Sequence, residues 1–371
     1  MSGLTYQGSG VDYDLLDAFK RECQAAAGTT RGALAAHGLT EPPAIRGESA
    51  YLVELPHAYL AHVEEGLGTK NIVADAVLAA TGRSFYREIG IDTVATIVND
   101  LVTSGARPLV VAMHAAVGDA EWFRHDQRRR DLAAGFAEGC RLAGAVWGGG
   151  ETPALKGLVQ PDAIVLAGSG IGLIEPKARR IVGDVAPGDA ILFLAASGVH
   201  ANGLTLCRRI ADSLPEGYQT PIGDGRTYGE ALLAPTPLYA NAVAAVQDAG
   251  ITLRYAVNIT GHGWRKLMRL AAPLTYQIDT PGDEGALFRF LRAAGPIDLK
   301  EAYGTYTMGA GFALIVRASD AAAATAAVAA TGHRVWHAGT VLAGERSVTV
   351  PSLGLAWADH DLALRDDASP I

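Results

Sequence analysis

The chain has 371 residues, 49% of them hydrophobic and 19% charged, and a net charge of -8. That length suggests two domains at roughly 150 residues each, and the composition is too apolar and too weakly charged for disorder. The acidic balance argues against a general nucleic-acid binder, although clustered Lys and backbone N–H groups can still hold phosphate.

Three scattered cysteines, Cys23, Cys140 and Cys207, form no Cys-x-x-Cys pair. Neither a disulfide framework nor a zinc cluster is therefore indicated. The polar, Gly-rich N-terminus lacks the apolar core of a signal peptide. No run reaches ~18 uncharged apolar residues, so no membrane span is expected. A cytoplasmic protein is the expectation.

In chain order, LLDAFKRECQAAA carries apolar residues at helical spacing. Residues 50–65 alternate like strands. IGIDTVATIVNDLVTSGARPL predicts a buried helix that Gly105 ends, with Pro108 just beyond. LVVAMHAAV reads as a buried strand, and a helix is predicted over 121–144, ending near Gly144. AVWGGGETPAL is a strand entering a glycine loop, and AIVLAGSGIGLI is another strand. The charged, Pro- and Gly-containing stretch at 176–190 marks a domain boundary, giving domains 1–178 and 179–371. In the second half, DAILFLAASG, MGAGFALIVRA and RSVTVPSL predict strands. LTLCRRIADSL, YANAVAAVQDAG and the Ala-rich SDAAAATAAVAATG predict helices. An α+β fold in two halves fits this alternation, and the last residues, DDASPI, are expected to fray.

Six clusters carry chemistry. In the first, Glu65-Gly66-Leu67-Gly68-Thr69-Lys70, glycines permit close backbone approach and Lys70 supplies a mobile charge for phosphate. The plain alternative is a strand-to-helix turn with a surface Lys, and the spacing is not that of a Walker A loop. The second cluster places Asp92, Asn99 and Asp100 on one apolar helix, where a buried carboxylate needs a partner. A cap or salt bridge suits Asp92, and Mg²⁺ with nucleotide phosphates suits Asp100. The third, Gly148-Gly149-Gly150-Glu151-Thr152, is either a backbone wrapped round a ligand or a tight turn. Glu151 there could bind Mg²⁺ or a hydroxyl.

The fourth cluster, Ser197-Gly198-Val199-His200-Ala201-Asn202-Gly203, lies between a strand and a helix, a favourable place for anions. His200 can exchange a proton near neutral pH or donate to phosphate. Asn258-Ile259-Thr260-Gly261-His262-Gly263 and Tyr306-Thr307-Met308-Gly309-Ala310-Gly311 complete the set, as further cleft walls or as turns.

These clusters, in this order, resemble the aminoimidazole ribonucleotide synthetase family over about residues 5–345. The motifs TYxxxGVDxD, GxGTK, IGID–VA–VNDL–GA–PL, GGET, SSGxHxNGxxL, LLxPTxxY, ITGxG and MGxG are all matched or nearly so, with Ala196 in place of the first Ser of SSGxHxNGxxL. The resemblance implies a two-domain PurM-like fold. Its N-terminal domain would bind ATP and dimerise through barrel-forming strands, with a C-terminal α/β domain over the cleft.

It also implies a reaction in purine biosynthesis: formylglycinamidine ribonucleotide and ATP become aminoimidazole ribonucleotide, ADP and phosphate. The implied cofactors are ATP and Mg²⁺. Lys70, Asp100 and His200 would be catalytic. Gly66, Gly68, Thr69, Lys70, Asp100, Gly149 and Gly150 would bind ATP, and Glu65, Asp100 and Glu151 the metal. Glu151, Thr152, Ser197, His200, Asn202 and Thr260 would grip a phosphoribosyl substrate. No nucleic-acid or membrane partner is implied.

Some positions depart from the family pattern. Glu65 stands where Asp is typical, Asn258 where His is, and His262 where Gly is. The N-terminal segment Tyr6-Gln7-Gly8-Ser9-Gly10-Val11-Asp12 lacks the usual Lys and acid. A paralogue acting on a related amide is therefore one alternative, and a non-catalytic nucleotide-binding regulator another. A selenide dikinase is disfavoured because the glycine loop lacks Cys, and a hydrogenase-maturation dehydratase because the chain ends Ser-Pro-Ile.

Overall fold

The computed structural model describes residues 13–43 and 45–362. The N-terminal motif at 5–14 and the last residues therefore fall largely outside the described part. Helix α1 (Tyr13–Gly28) leads to a hairpin of β1 (Tyr51–Glu54) and β2 (Tyr59–Gly66). Then come α2 (Lys70–Thr81), α3 (Tyr86–Leu101), β3 (Arg107–Val117), α4 (Asp126–Ala143), β4 (Val146–Glu151) and β5 (Ile164–Ile174).

The strands form one sheet in the order β1-β2-β5-β3-β4. Its pairings are antiparallel except β3 with β4. Helix α3 is buried along most of its length, held between the sheet and α4. Small residues allow this approach. A Cβ on Gly135 of α4 would lie 1.9 Å from the Arg87 carbonyl oxygen, and one on Gly170 of β5 would lie 2.6 Å from Ile97 Cγ2. The helix expected at 121–144 forms as a short 3-10 turn followed by α4, and Gly144 at φ +69° caps it as anticipated.

Only one face of this sheet is covered. Along β5, Ile164, Leu166 and Ile174 are buried, whereas Val165 (48% exposed) and Ile171 (38% exposed) point the other way. Strand β4 is exposed throughout.

The second half contains β6 (Ala190–Ala195), α5 (Leu204–Ser213), α6 (Tyr228–Leu232), α7 (Ala240–Asp248), β7 (Tyr255–Asn258) and β8 (Leu274–Ile278). It continues with α8 (Gly285–Ala294), α9 (Leu299–Thr305), β9 (Ala310–Val316), α10 (Ala321–Ala329), β10 (Val335–Ala343), β11 (Ser347–Val350) and β12 (Leu355–Ala358). Its sheet runs β12-β11-β8-β10-β6-β9-β7. Every residue of β9 is buried, so both faces of this strand are covered and its sequence is a continuous apolar run rather than an alternation. The two sheets are thus drawn from 51–174 and 190–358. Among the described residues no helix is long and apolar enough to cross a membrane.

A segment from the second half straps the two halves together. Residues 234–239, the Pro-Thr-rich run before α7, lie along α3 and the start of α2. Thr236 donates to Asp92 Oδ1 from its backbone N–H (2.8 Å) and from its hydroxyl (2.5 Å). Asn99 Nδ2 donates to the Pro237 carbonyl at 2.9 Å, and its Oδ1 accepts from Tyr239 N–H at 3.0 Å. Asp92 and Asn99 of α3 therefore serve as sockets for the strap.

Candidate active site

The turn from β2 into α2 holds the first glycine cluster. Gly68 adopts φ +74°, and a Cβ there would sit 3.7 Å from the Ala201 carbonyl oxygen, so this turn abuts the loop after β6. Lys70 opens α2 and turns inward instead of outward. Its ammonium sits 2.7 Å from Asp92 Oδ2 and donates to the Ala234 carbonyl at 2.9 Å, and both Lys70 and Asp92 side chains have 0% exposure. Burial pushes the Asp92 carboxyl up, and the Lys70 charge opposes that shift. The expectation of a mobile phosphate-seeking Lys70 is corrected: its charge is consumed by Asp92. The salt-bridge reading of Asp92 holds.

His200 is corrected in the same way. It adopts φ +58° and is buried beside Tyr239 and Gly311, away from the open cleft. Burial, with help from the Lys70 charge, pushes its pKa down to about 3. A neutral imidazole with that value does not exchange protons near pH 7. Ser197, at the head of the same loop, does not line the cleft either.

The cleft itself is a cavity of about 600 Å³. The first half contributes Glu65 from the end of β2 and Asp100 from α3, and the second contributes Asn202, Thr260, Gly261, His262 and Lys266. Helix α1 closes one wall with Lys20 and Cys23. The loops after β6 and β7 are tied together, because Gly261 N–H donates to Asn202 Oδ1 at 3.0 Å. His262 has φ +69°, and its ring meets Asp17 of α1 at 3.2 Å. Burial works against ionising Asp17, but the His262 and Lys20 contacts outweigh it and hold that carboxyl down to about 2.

Glu65 and Asp100 are the acidic pair of the cleft. Burial, reinforced by the Asp100 charge, raises Glu65 from its ordinary 4.5 to about 7, against the pull of Lys266. Asp100 Oδ1 accepts from Asn258 Nδ2 at 2.7 Å, which gives the Asn258 departure a role as a neutral donor. Lys266 Nζ donates to Thr260 Oγ1 at 2.6 Å. Motif reading gave no role to Lys266. Its one signal was a charge in an apolar turn six residues after Thr260.

Glu151 is not with this pair. Gly149, Gly150, Glu151 and Thr152 line a separate hollow of about 300 Å³ with Met113 and Trp147. Among the described residues no three His, Cys, Asp or Glu side chains gather as a metal centre, so a Glu65–Asp100–Glu151 triad does not form. Gly66 and Gly68 are exposed and Thr69 half-buried in the turn that follows Glu65. Two carboxylates still suit Mg²⁺, a hard ion that takes few protein ligands and fills its sphere with water and phosphate oxygens.

A half-covered five-stranded sheet, a seven-stranded partner sheet and a polar cleft framed by glycine loops of both halves define the two-domain PurM-like class. Residues 47–174 match the family model for the AIR synthase related protein N-terminal domain, and 186–351 match the one for its C-terminal domain. The chain belongs to the AIR synthase related family. It is 32% identical over 364 residues to a phosphoribosylformylglycinamidine cyclo-ligase of Carboxydothermus hydrogenoformans, covering 94% of this chain and 99% of that one. It is 34% identical over 350 residues to the Sorangium cellulosum protein of that name, covering 91% and 95%. The hydrogenase maturation protein HypE in complex with ATP shares the fold at TM-score 0.56 and 18% identity, covering 80% of this chain and 83% of that one.

Two consequences can be measured. Asp92→Asn strands the buried Lys70 charge, so a loss of about 3–5 kcal/mol is expected in urea unfolding; a loss below about 1 kcal/mol would refute the anchoring role. Glu65 holds a proton more tightly when folded than when unfolded. Its contribution to stability is therefore complete below 4.5 and fades as pH rises through about 7. Unfolding free energies of wild type and Glu65→Gln, compared across that window, should show a pH slope in the wild type that the variant lacks.

Proposed function

We propose that this chain catalyses ATP-dependent closure of formylglycinamidine ribonucleotide to 5-aminoimidazole ribonucleotide, a step of purine biosynthesis. The observation that carries the reading is the shared cleft, where the acidic pair of one half faces Asn202 and Thr260 of the other, in a chain matching curated cyclo-ligases end to end. Its volume lies within the range of small-molecule sites.

Glu65 and Asp100 would hold Mg²⁺ at the nucleotide phosphates. The ion, when bound, neutralises charge on the phosphates during transfer. The γ-phosphoryl group passes to the substrate amide oxygen as its bond to ADP breaks. The amidine nitrogen then attacks the amide carbon bearing that phosphorylated oxygen, the carbon–oxygen bond breaks with loss of phosphate, and nitrogen gives up a proton. The gain comes mainly from holding both ends of one substrate together. Asn202 and Thr260 would orient the ribonucleotide. Lys70 and His200 act indirectly, by fixing the strap and the loop after β6.

The reading extends to a cytoplasmic homodimer. The uncovered face with Val165 and Ile171 is apolar where a solvated sheet face would be polar. A second copy is the occupant that the half-barrel shape suits. The hollow at 149–152 would then lie close to the partner.

A coupled assay with formylglycinamidine ribonucleotide and MgATP tests the activity. Turnover is expected in the wild type, with a drop of about 10²-fold or more in Asp100→Asn; no turnover of this substrate by the folded wild type would sink the proposal. For assembly, light scattering should give a dimer for wild type and a monomer for Val165→Glu, and a monomeric wild type would refute it.

A further inference from the structure

The cleft is lined by four cations, and three are already spent. Lys20 pairs with Asp17 at 2.9 Å. Arg46 pairs with Glu41 through two contacts at 3.1 and 2.7 Å. Arg269 donates to the Gly47 carbonyl at 3.0 and 2.7 Å and to Ser49 Oγ at 2.6 Å. Lys70, the cation that the glycine motif offers, is sealed against Asp92 outside the cavity.

Lys266 differs from all of these. It is only 7% exposed, yet it lines the cavity. An ammonium has three donors, and Thr260 Oγ1 takes one at 2.6 Å. Among the described residues no other hydrogen bond satisfies it and no carboxylate approaches within 4 Å. A buried ammonium with open donors is costly unless a ligand completes it, and the short turn Gly263–Met268 holds it in place.

We propose that Lys266 is the cation through which the cleft binds a phosphate oxyanion, in the role the sequence motif assigns to Lys70. The proposal rests on the ligase reading above and adds to it a phosphate-contacting residue outside the glycine loops. A phosphate oxygen would accept the open N–H groups while Thr260 holds the ammonium, and such charge-assisted bonds are the stronger kind. Two sources present this group: the nucleotide polyphosphate and the ribose 5-phosphate of the substrate.

Calorimetric titration of the full-length protein with MgATP and, separately, with ribose 5-phosphate distinguishes them. Lys266→Met should weaken one of the two by about tenfold or more while circular dichroism and thermal midpoint stay near wild type. Lys266→Arg should restore most of the affinity, and it keeps the question answerable if the Met variant unfolds. Unchanged affinity for both ligands in a folded Met variant overturns the proposal and leaves the ligase reading standing. So does tighter Mg²⁺ binding with phosphate affinity unchanged, since Lys266 would then only balance Glu65 and Asp100. Failure of the wild type to bind either ligand overturns both.

Discussion

The contact between Lys70 and Asp92 organises the rest of the molecule. Two opposite charges without solvent contact are tolerable only when both are fully engaged. Here the remaining valences go to the strap: Lys70 to the Ala234 carbonyl, Asp92 to both donors of Thr236. The pair thus joins the glycine turn, the central helix of the first half and a segment of the second half at one point. Asn99, two turns further along α3, repeats the device with Pro237 and Tyr239. The cleft has fixed walls because its two sides are joined from behind.

That arrangement lets the cleft be polar. The backing charges are neutralised internally, so the side chains facing the cavity keep unfilled capacity. Glu65 and Asp100 repel one another, Lys266 has donors to spare, and Asn202 is committed only on its oxygen side. The sealed pair and the cleft-facing groups are close neighbours in sequence but face opposite ways. Glu65 lies five residues from Lys70, and Asp100 eight from Asp92.

Much of the architecture was legible in the sequence. The helical spacing of α3 and α4, the capping Gly105 and Gly144, and the continuous apolar runs of β6 and β9 announced themselves because local pattern and tertiary burial agree there. Helix α2 is foreshadowed only by the strand-to-helix alternative for the first glycine cluster, and its Lys70 is buried instead of on the surface. The short strands β7, β8 and β12 carry only four or five residues, too few for periodicity to speak.

At the site, Glu65, Asp100, Asn202 and Thr260 were found by motif, and the structure brings them to one cavity. Lys70, His200 and Glu151 belong to the same set of motifs, yet the structure does not bring them into that cavity. What decides their roles is distance in space: Asp92 lies 22 positions from Lys70 and quenches it, packing around Gly311 buries His200, and β4 carries Glu151 to another hollow. Lys266 was missed for the mirror reason, since nothing within its own turn reveals that the chain folds it toward Asp100.

Gly311 carries an evolutionary corollary. A Cβ at that position would fall 2.1 Å from Tyr239 Oη and 2.5 Å from His200 Cε1, so any larger residue collides with two rings at once. Relief would require both rings to shrink or move first. Yet Tyr239 Oη is bound to the Ala195 carbonyl at 2.9 Å, and its backbone N–H is held by Asn99. A larger residue at 311 is therefore costly while these two rings keep their positions. The three positions are sterically linked, so a change at 311 calls for accommodating changes at 200 and 239.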